Sequence, residues 1–338
     1  MTNSKPIVSV IITNFNGQKY LKKCFDSLLQ QTYKSLELIF ADDGSKDQSV
    51  EFIKKYYPKV KLSINTKNSG LAITSNNGVK IARGKYLLFY NNDTIAFPDF
   101  IEKMVEKAEK EKHIGIVCPQ ALPYLQKDDS CRSENQMYLG VGSDIYGYIC
   151  TSRDAGHIFY PDAAIFIRAD LFKKIKGFDP NFFLYGEDMD LCWRVHLLGY
   201  KIVTARKAKF RHDSSCAQMQ NGRIKTTYRR RYLVERQTIN KMLKYYKIQT
   251  LIWLFPKFLF YYFSEAFFFL IFKLNPKMFF EVYIKAILWN VSKTKNILRN
   301  RKFIQGIRKV DDHYIMNLMY PKYRKLHVAF ELGIPVFK

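Results

Sequence analysis

The first 90 residues alternate short apolar runs with amphipathic stretches, and this alternation constrains the fold more than any other feature. Residues 7–13 read IVSVIIT, a β-branched run typical of a strand buried on both faces. Further strands are predicted at 36–41, 60–64 and 85–90, with apolar residues at helical spacing between them. Strands and helices that alternate in this way form βαβ units around a mostly parallel sheet. The sequence therefore predicts an α/β domain.

Polar clusters stand at the ends of three predicted strands: Thr13, Asp43 and residues 91–93. In such sheets, ligands bind beyond the carboxyl ends of the strands. We therefore expect the three clusters on one rim. The domain continues with further elements, separated by an irregular segment over 119–160 where acceptor determinants are expected. These elements are helices at 100–112, 170–175 and 185–198 and strands at 114–118, 163–168 and 201–205.

The charge of the chain is concentrated in its last third. The formal net charge is +25, of which +18 falls after residue 213, where apolar and aromatic residues also accumulate. This asymmetry indicates two regions with different tasks. We predict a catalytic domain over 1–215 and a basic, aromatic-rich helical region over 216–338.

Residues 248–274 approach the length of about 20 apolar residues that spans a bilayer. Pro256, Lys257 and Glu265 interrupt this segment, and a central Glu is costly in lipid. Basic flanks and aromatic side chains favour a helix that lies in the interface of an anionic membrane. The alternative is a hydrophobic helix packed on the catalytic domain or in a dimer.

Two features bear on the compartment. The six cysteines form no C-x-x-C pair, which predicts buried thiols in a reducing environment. The first residues, MTNSKPIVSVIIT, lack the basic region and long apolar stretch of a signal peptide. The catalytic part is therefore expected in the cytosol.

Two of the polar clusters are ambiguous when taken alone. Residues 91–94, Asn-Asn-Asp-Thr, offer a carboxylate and carboxamides that suit Mg²⁺ with water and phosphate, but they equally suit a polar turn. Residues 42–47 could place a carboxylate against a base or ribose, or could simply cap a helix.

Acidic residues also gather at 187–190, at the start of a predicted helix. They could stabilise the helix dipole, or one could be poised as a base or near a cation. His212 follows a strand, and a lone histidine is more often structural or exposed than a metal ligand.

Taken together, the polar clusters point to one family of proteins. In order and spacing they resemble the inverting family 2 glycosyltransferases, which have the GT-A fold, and most of all the rhamnosyl- and galactofuranosyl-transferase-like branch. The resemblance covers residues 7–215. Its motifs are VSVIITNFNG (8–17), ADDGSKDQS (41–49), NSGLAITSNNGVKIARGKYLLFYNNDT (68–94), FDPNFFLYGEDMDLCWRVHLLGYKI (178–202) and an H-x-S element at 212–214.

The resemblance implies a role for each residue of the donor site. Two residues would contact the base and ribose, and the others would line the nucleotide. The first two are Thr13 and Asp43, and the others are Asn16, Asn68, Gly70, Asn76 and Asn92.

The resemblance also implies a divalent cation, Mg²⁺ or Mn²⁺, held by Asp93 of the D-x-D element and by His212. Here that element reads Asn-Asn-Asp, so its first acid is missing. Asp162 stands where many relatives have a glycine.

The catalytic base implied by the resemblance is Asp188. Glu187 and Asp190 would support it, and Trp193 and Arg194 would shape the acceptor site. An inverting transfer needs one carboxylate to accept the proton of the attacking hydroxyl, and positive charge on the departing diphosphate. A glycoside hydrolase would instead need two opposed carboxyl groups.

We therefore expect an enzyme that uses a UDP- or dTDP-linked sugar donor and a glycan or lipid-linked acceptor. It would act in cell-surface polysaccharide assembly at the cytoplasmic face of the cell membrane.

Other classes of protein remain as alternatives or are excluded. A basic nucleic-acid-binding protein without catalysis is the alternative suggested by the charge and the aromatics. The acids at strand ends argue against it, so no nucleic-acid partner is expected. An NAD-type Rossmann protein is excluded because residues 14–17 lack G-x-G-x-x-G. A processive synthase is disfavoured because Q-x-x-R-W is absent.

Overall fold

The computed structural model describes residues 7–123, 140–151, 157–161, 163–213, 219–220 and 223–337. Asp162, Cys131, Cys216 and the serine of the H-x-S element lie outside the described residues, as does much of the segment 119–160. The chain divides into two compact units. The first comprises the described residues within Met1–Val141, Tyr160–Val195 and Tyr200–Ser214, and the second those within Gly142–Phe159, His196–Gly199 and Ser215–Lys338.

Strands and helices alternate along the first part of the chain, as the apolar pattern predicts. Up to residue 213 the elements are β1 (Val8–Asn14), α1 (Gln18–Leu29), β2 (Leu36–Asp42), α2 (Ser49–Tyr56), β3 (Lys61–Ile64), α3 (Leu71–Val79), β4 (Tyr86–Asn91), β5 (Thr94–Ala96), α4 (Phe100–Ala108), β6 (Ile114–Pro123), β7 (Val141–Ser143), β8 (Ile149–Thr151), β9 (Ala164–Arg168), α5 (Ala169–Lys174), α6 (Glu187–Leu197) and β10 (Lys201–His212).

The first unit is built on an eight-stranded mixed sheet in the order β3-β2-β1-β4-β9-β6-β10-β5. The neighbours β3, β2, β1 and β4 are parallel, and β9 and β5 pair antiparallel. Asn14 stands beside Asp42, and Thr13 beside Asn91, at the carboxyl ends of three adjacent strands. The prediction of an α/β sheet with its polar clusters on one rim is therefore confirmed.

Strand β1 forms the centre of this sheet because its sequence suits burial on both faces. All seven of its residues are buried. Its apolar side chains join a core that includes Phe25 of α1, Phe40 of β2 and Phe100 of α4. Burial of each such side chain contributes about 1.5–3 kcal/mol. The rigid core holds the polar rim in place.

Within the eight-stranded sheet, two strands are longer than predicted and one, β5, was not predicted. The short strands β7 and β8, and the strands after residue 213, were not predicted either. Strand β6 runs to Pro123 and β10 to His212, with a register shift between Ala205 and Lys209. A polar bulge of this kind breaks the period-2 pattern from which strands are predicted. The short β5 pairs with the end of β10, so that His212 faces Thr94.

The second unit is mainly helical. It contains β11 (Met219–Gln220), β12 (Arg223–Thr226), α7 (Tyr228–Tyr245), α8 (Ile248–Ile271), a π-helix (Met278–Ile284), α9 (Lys285–Ser292), α10 (Thr294–Ile307), α11 (Asp312–Met316), α12 (Arg324–Leu332) and β13 (Val336–Phe337). Helix α7 packs against α9, α10 and the π-helix, and the π-helix packs against α8.

Four charged side chains close a ring inside the second unit, which we call the charge ring: Arg231, Glu235, Glu265 and Lys325. The two carboxylates each pair with both cations. Glu235 is fully buried and also accepts a hydrogen bond from Tyr148 at 2.5 Å. Burial would raise the pKa of Glu265, but the charges of Arg231 and Lys325 outweigh this effect and hold the pKa below its ordinary value.

Helix α8 is apolar on both sides. Leu254, Phe258 and Tyr262 are fully buried in the second unit, whereas Phe260 and Phe272 are 69% and 73% exposed. Among the described residues, this helix alone is long and apolar enough to cross a membrane, and 28% of its most apolar window is buried. In the sequence analysis, Glu265 disfavours a helix that simply spans the bilayer. In the structure, its charge is balanced by Arg231 and Lys325 of the charge ring.

Candidate functional site

A hydrogen-bonded polar network joins the ends of β1, β2 and β4. The Asn14 side chain donates to Asp42 at 2.9 Å and to Ser45 at 3.1 Å. Its carbonyl oxygen accepts from the Asn92 amide at 2.5 Å. Because Asn14 and Asp42 are both buried, this network fixes the position of Asn92 on the rim.

The turn after β1 is shaped around this network. A Cβ on Gly17 would lie 2.0 Å from the side-chain nitrogen of Asn92, so any other residue there would displace Asn92 from this network. Asn16 adopts φ 51°, in the left-handed region, and its side-chain oxygen accepts from the Lys46 amide at 2.7 Å. The predicted nucleotide residues Asn16 and Asn92 therefore lie at the same rim.

Asp43 holds the loop that leads into α3. One of its carboxylate oxygens accepts from the Ser69 amide at 2.7 Å and from the Asn65 side chain at 3.0 Å. The other accepts from the Gly70 amide at 2.8 Å. Asn68, beside these residues, is exposed. The carboxylate is thus engaged with its own chain, and a contact of Asp43 with a nucleotide stays a prediction.

The same loop contacts the segment that precedes the acidic helix α6. Gly70 adopts φ 92°, and a Cβ there would lie 2.4 Å from the Phe183 carbonyl oxygen. That oxygen accepts from the Leu71 amide at 2.9 Å. Asn76 exchanges two hydrogen bonds with the Phe178 backbone, at 2.8 and 3.0 Å. Asn76 thus positions the segment that carries the acids, and its role beside the nucleotide stays a prediction.

A turn with left-handed backbone presents the acids. Tyr185 and Gly186 adopt φ 66° and 91° immediately before α6, and such φ values in a non-glycine residue are typical of functional sites. Asp190 is fully buried and pairs with Arg194 at 2.7 Å. Arg194 also donates to the Ile175 and Gly177 carbonyls at 2.6 and 2.5 Å. This pair therefore ties the helix to the chain that precedes it.

The three acids of the first turn of α6 differ in exposure. Asp190 is fully buried, Glu187 is 5% exposed and Asp188 is half-buried. Trp193 is fully buried and Arg194 is only 4% exposed, so a role of these two side chains in shaping an acceptor site stays a prediction. Asp188 is thus the acid best placed to meet a ligand.

Asp93 and His212 come together at the edge of the sheet. Strand β5 pairs with the end of β10, and the Asp213 amide donates to the Asp93 carbonyl at 3.0 Å. The Asp93 Oδ1 and His212 Nε2 atoms lie 3.4 Å apart. The Asp93 oxygen is buried and accepts no hydrogen bond.

This pair fits a divalent cation that takes its remaining ligands from phosphate and water. Within the described ranges, no cluster of three or more His, Cys, Asp and Glu side chains is arranged to hold a metal. A metal there would depend on the ligand to complete its coordination. The observation that supports the fit is the buried Oδ1 of Asp93, which lies beside His212 and accepts no hydrogen bond.

The cysteines near these residues are not nucleophiles. Burial raises the pKa of the Cys24 thiol to about 12 and that of Cys192 well above its ordinary value, with the charge of Asp188 adding to the latter shift. The four cysteines within the described part of the chain are buried and form no disulfide there. The site therefore works through carboxylates and amides.

Comparison with known proteins identifies the first unit. Residues 9–176 match the family model described as Glycosyl transferase family 2. These residues form a family 2 glycosyltransferase domain. The family 2 domain contains the donor-side rim but not Asp188 or His212, which lie beyond the matched residues.

Relatives and solved structures agree with the family 2 domain. An uncharacterized glycosyltransferase of Rickettsia prowazekii (strain Madrid E) is 31% identical over 193 residues, which are 56% of this chain and 58% of that protein. Chondroitin synthase of Escherichia coli is 33% identical over 115 residues, 33% of this chain and 17% of the synthase. The chain thus spans less than two thirds of the length of either relative.

A crystal structure of GalNAc-T7 with UDP, GalNAc and Mn²⁺ is similar with a TM-score of 0.52 and 17% identity. The likeness covers 63% of this chain and 44% of that one. Together with the mixed, mostly parallel sheet, it shows that the family 2 domain has a GT-A-like fold.

Sequence reasoning missed the residues that position the site. Asn14, Asp42 and Ser45 organise the rim, and Phe183 receives the donor-side loop through its backbone. Asn14 and Asp42 are polar residues at the ends of apolar strands, and that position is the sequence signal by which they could have been found. The role of Phe183 has no sequence signal, because a backbone carbonyl is common to every residue.

We predict that Gly70→Ala lowers the stability of the protein by about 1–3 kcal/mol, because alanine at φ 92° is strained and its Cβ meets the Phe183 carbonyl. Gly306→Ala is the matched control, since a Cβ there meets nothing within 4 Å and alanine favours the helix. Thermal unfolding followed by circular dichroism compares the two. Equal midpoints would show that Gly70 makes no close contact.

Proposed function

We propose that the protein is an inverting glycosyltransferase that transfers a sugar from a nucleoside-diphosphate donor to a hydroxyl group of a glycan acceptor. The observation that carries this proposal is the polar rim of the first unit, where Asp93 of the family 2 domain meets His212, which lies beyond that domain, beside the network of Asn14 and Asn92. The order of the motifs favours the rhamnosyl- and galactofuranosyl-transferase-like branch, with a UDP- or dTDP-linked sugar as donor.

Asp188 is the proposed general base. It lies in the first turn of α6, where the helix dipole favours the carboxylate over the neutral acid. The acceptor oxygen would attack the anomeric carbon and give its proton to Asp188, while the bond between that carbon and the diphosphate oxygen breaks. The nucleoside diphosphate leaves as an anion, so no second acid is required.

Asp93 and His212 are the proposed ligands of Mg²⁺ or Mn²⁺. When bound, such a cation neutralises charge on the departing diphosphate. The two side chains would orient the diphosphate at the edge of the sheet, and the Asn92 amide could donate to it. Thr13 and Asp43 would face the base and ribose from the neighbouring strands.

We further propose that the second unit docks the enzyme on the cytoplasmic face of an anionic membrane, where a lipid-linked acceptor would be found. One side of α8 is exposed and apolar, including Ile252, Phe260, Phe267 and Ile271, and Phe272 immediately after the helix is exposed as well. The net charge of +18 after residue 213 would attract acidic headgroups, at about 1 kcal/mol for each basic residue near the surface. Acceptors of cell-surface polysaccharide assembly are often held on lipid, which is why we favour this location.

Asp188→Asn should lower turnover by about 10²–10⁴-fold and leave donor binding largely intact, because only the proton acceptor is lost. Asp170→Asn is the control: this acid lies on the same unit, 70% exposed and paired with Arg168. Steady-state transfer rates and donor titrations measure both effects. A near-normal kcat for Asp188→Asn would remove this residue from the mechanism.

Asp93→Ala and His212→Ala should each weaken donor binding and transfer, since each would remove a cation ligand. Excess Mn²⁺ should partly restore activity by mass action. His113→Ala is the control: this histidine is exposed and precedes β6, so its loss should change neither donor binding nor transfer. Thermal shifts with UDP or dTDP, with and without Mn²⁺, report binding separately from turnover. Full wild-type activity in EDTA would contradict the cation role.

The full-length protein should co-sediment with vesicles of phosphatidylglycerol and phosphatidylcholine. High salt should weaken this binding without abolishing it, because salt screens charges but not apolar burial. Phe267→Asp and Phe272→Asp should each reduce partitioning by about 10- to 140-fold, given about 1.5–3 kcal/mol for a buried Phe. Leu29→Asp, at an exposed leucine of the family 2 domain, is the control. Binding unchanged by both Phe substitutions would place the contact elsewhere.

A further inference from the structure

The second unit contains an open groove of about 910 Å³ beside the exposed side of α8. Its lining is mainly apolar and aromatic and includes Tyr146, Trp253, Phe260, Tyr261, Tyr323 and Leu326. Trp253, Phe260 and Leu326 are 44%, 69% and 46% exposed, so the groove is open to solvent. A cavity of this size is typical of sites for small ligands.

One wall of the groove is rigid. Tyr261 and Tyr323 stack with their ring centroids 4.8 Å apart and their planes inclined by 10°, and Tyr146 meets Tyr323 edge-on at 5.4 Å. The Tyr323 hydroxyl donates to Glu265 of the charge ring at 3.4 Å. The aromatic ring of Tyr323 faces the groove while its hydroxyl is held by Glu265. The wall is therefore formed before any ligand binds.

The charged side chains that line the groove are basic. Lys257 lies over the Trp253 ring, 5.1 Å from its centroid, and Lys322 and His327 complete the set. Among the described residues, the lining includes no Asp, Glu, Asn or Gln. An anionic group would therefore be attracted, and nothing in the lining would repel it.

This chemistry discriminates between possible occupants. A glycan is recognised through its hydroxyl groups, and the lining lacks the carboxylates and amides that would accept and donate hydrogen bonds to them. A hydrocarbon chain suits the aromatic wall, and a phosphate suits the two lysines. The groove also shares Trp253, Pro256 and Phe260 with the side of α8 that we propose to face the membrane.

We propose that this groove binds a single anionic lipid, with its hydrocarbon chain against Tyr146, Tyr261 and Tyr323 and its phosphate beside Lys257 and Lys322. The proposal rests on the proposed membrane docking and deepens it. A flat docking surface would respond to the average charge of the bilayer, whereas this groove selects one molecule by chain and headgroup together.

The test uses the full-length protein and dodecyl phosphate below its micellar concentration, followed by isothermal titration calorimetry. We expect saturable binding with a stoichiometry of one. Dodecyl maltoside supplies the same chain without the charge, and inorganic phosphate supplies the charge without the chain. Both should bind at least about tenfold more weakly, since each loses one of two contributions of about 1.4 kcal/mol or more. Equal binding of dodecyl maltoside would overturn the phosphate assignment.

Variants localise the site. Lys257→Gln combined with Lys322→Gln should weaken dodecyl phosphate binding about tenfold, whereas Lys295→Gln combined with Lys302→Gln, at exposed positions of α10, should not. Tyr261→Ala should weaken dodecyl phosphate binding as well, by removing half of the stacked wall.

Vesicle co-sedimentation and sugar transfer are measured in parallel. Retained vesicle binding with lost dodecyl phosphate binding in the lysine variant supports the groove specifically. Dodecyl phosphate binding that is unchanged in both groove variants overturns the proposal, as does a dimer of the free protein that closes the groove. Neither result would bear on transfer activity.

Discussion

The carboxylate of Asp43 is the contact on which the organisation of the family 2 domain depends. It accepts the amides of Ser69 and Gly70, and the next amide, that of Leu71, donates to Phe183. A continuous series of hydrogen bonds therefore leads from the end of β2 to the segment before α6. The donor-side rim and the acidic helix are positioned by the same loop, so neither can shift without the other.

A buried carboxylate in such a role is fully hydrogen-bonded, and this is the condition under which burial of charge is tolerated. Asp190 and Arg194, beyond the family 2 domain but in the same unit, repeat the principle, and the guanidinium also donates to two backbone carbonyls. The polar groups that hold the site therefore form their hydrogen bonds with other groups of the protein. Asp93 differs, because its buried Oδ1 accepts no hydrogen bond and lies beside His212.

The sequence was sufficient to predict the α/β architecture, because β-branched strands such as β1 and amphipathic helices such as α1 have strong local periodicities. It also placed the polar clusters on one rim, since parallel strands end on the same side. It did not predict β5 or the far half of β10, which depend on tertiary pairing and a register shift. The sequence did not predict the burial of Trp193 either, because a helix with acids at its start gives little sign of which side faces the core.

The charge ring has a consequence for the order in which the chain is made. Arg231 and Glu265 are 34 residues apart, but Lys325, which also pairs with Glu235, stands 90 residues beyond that acid. During synthesis, α8 leaves the ribosome with its carboxylate lacking one of its two cations and with apolar side chains on every side. Because exposed apolar helices aggregate, the nascent chain needs shelter over that interval, from a chaperone or from a bilayer. The charge ring closes only when Lys325 is available, so folding of the second unit is completed after translation has passed that residue.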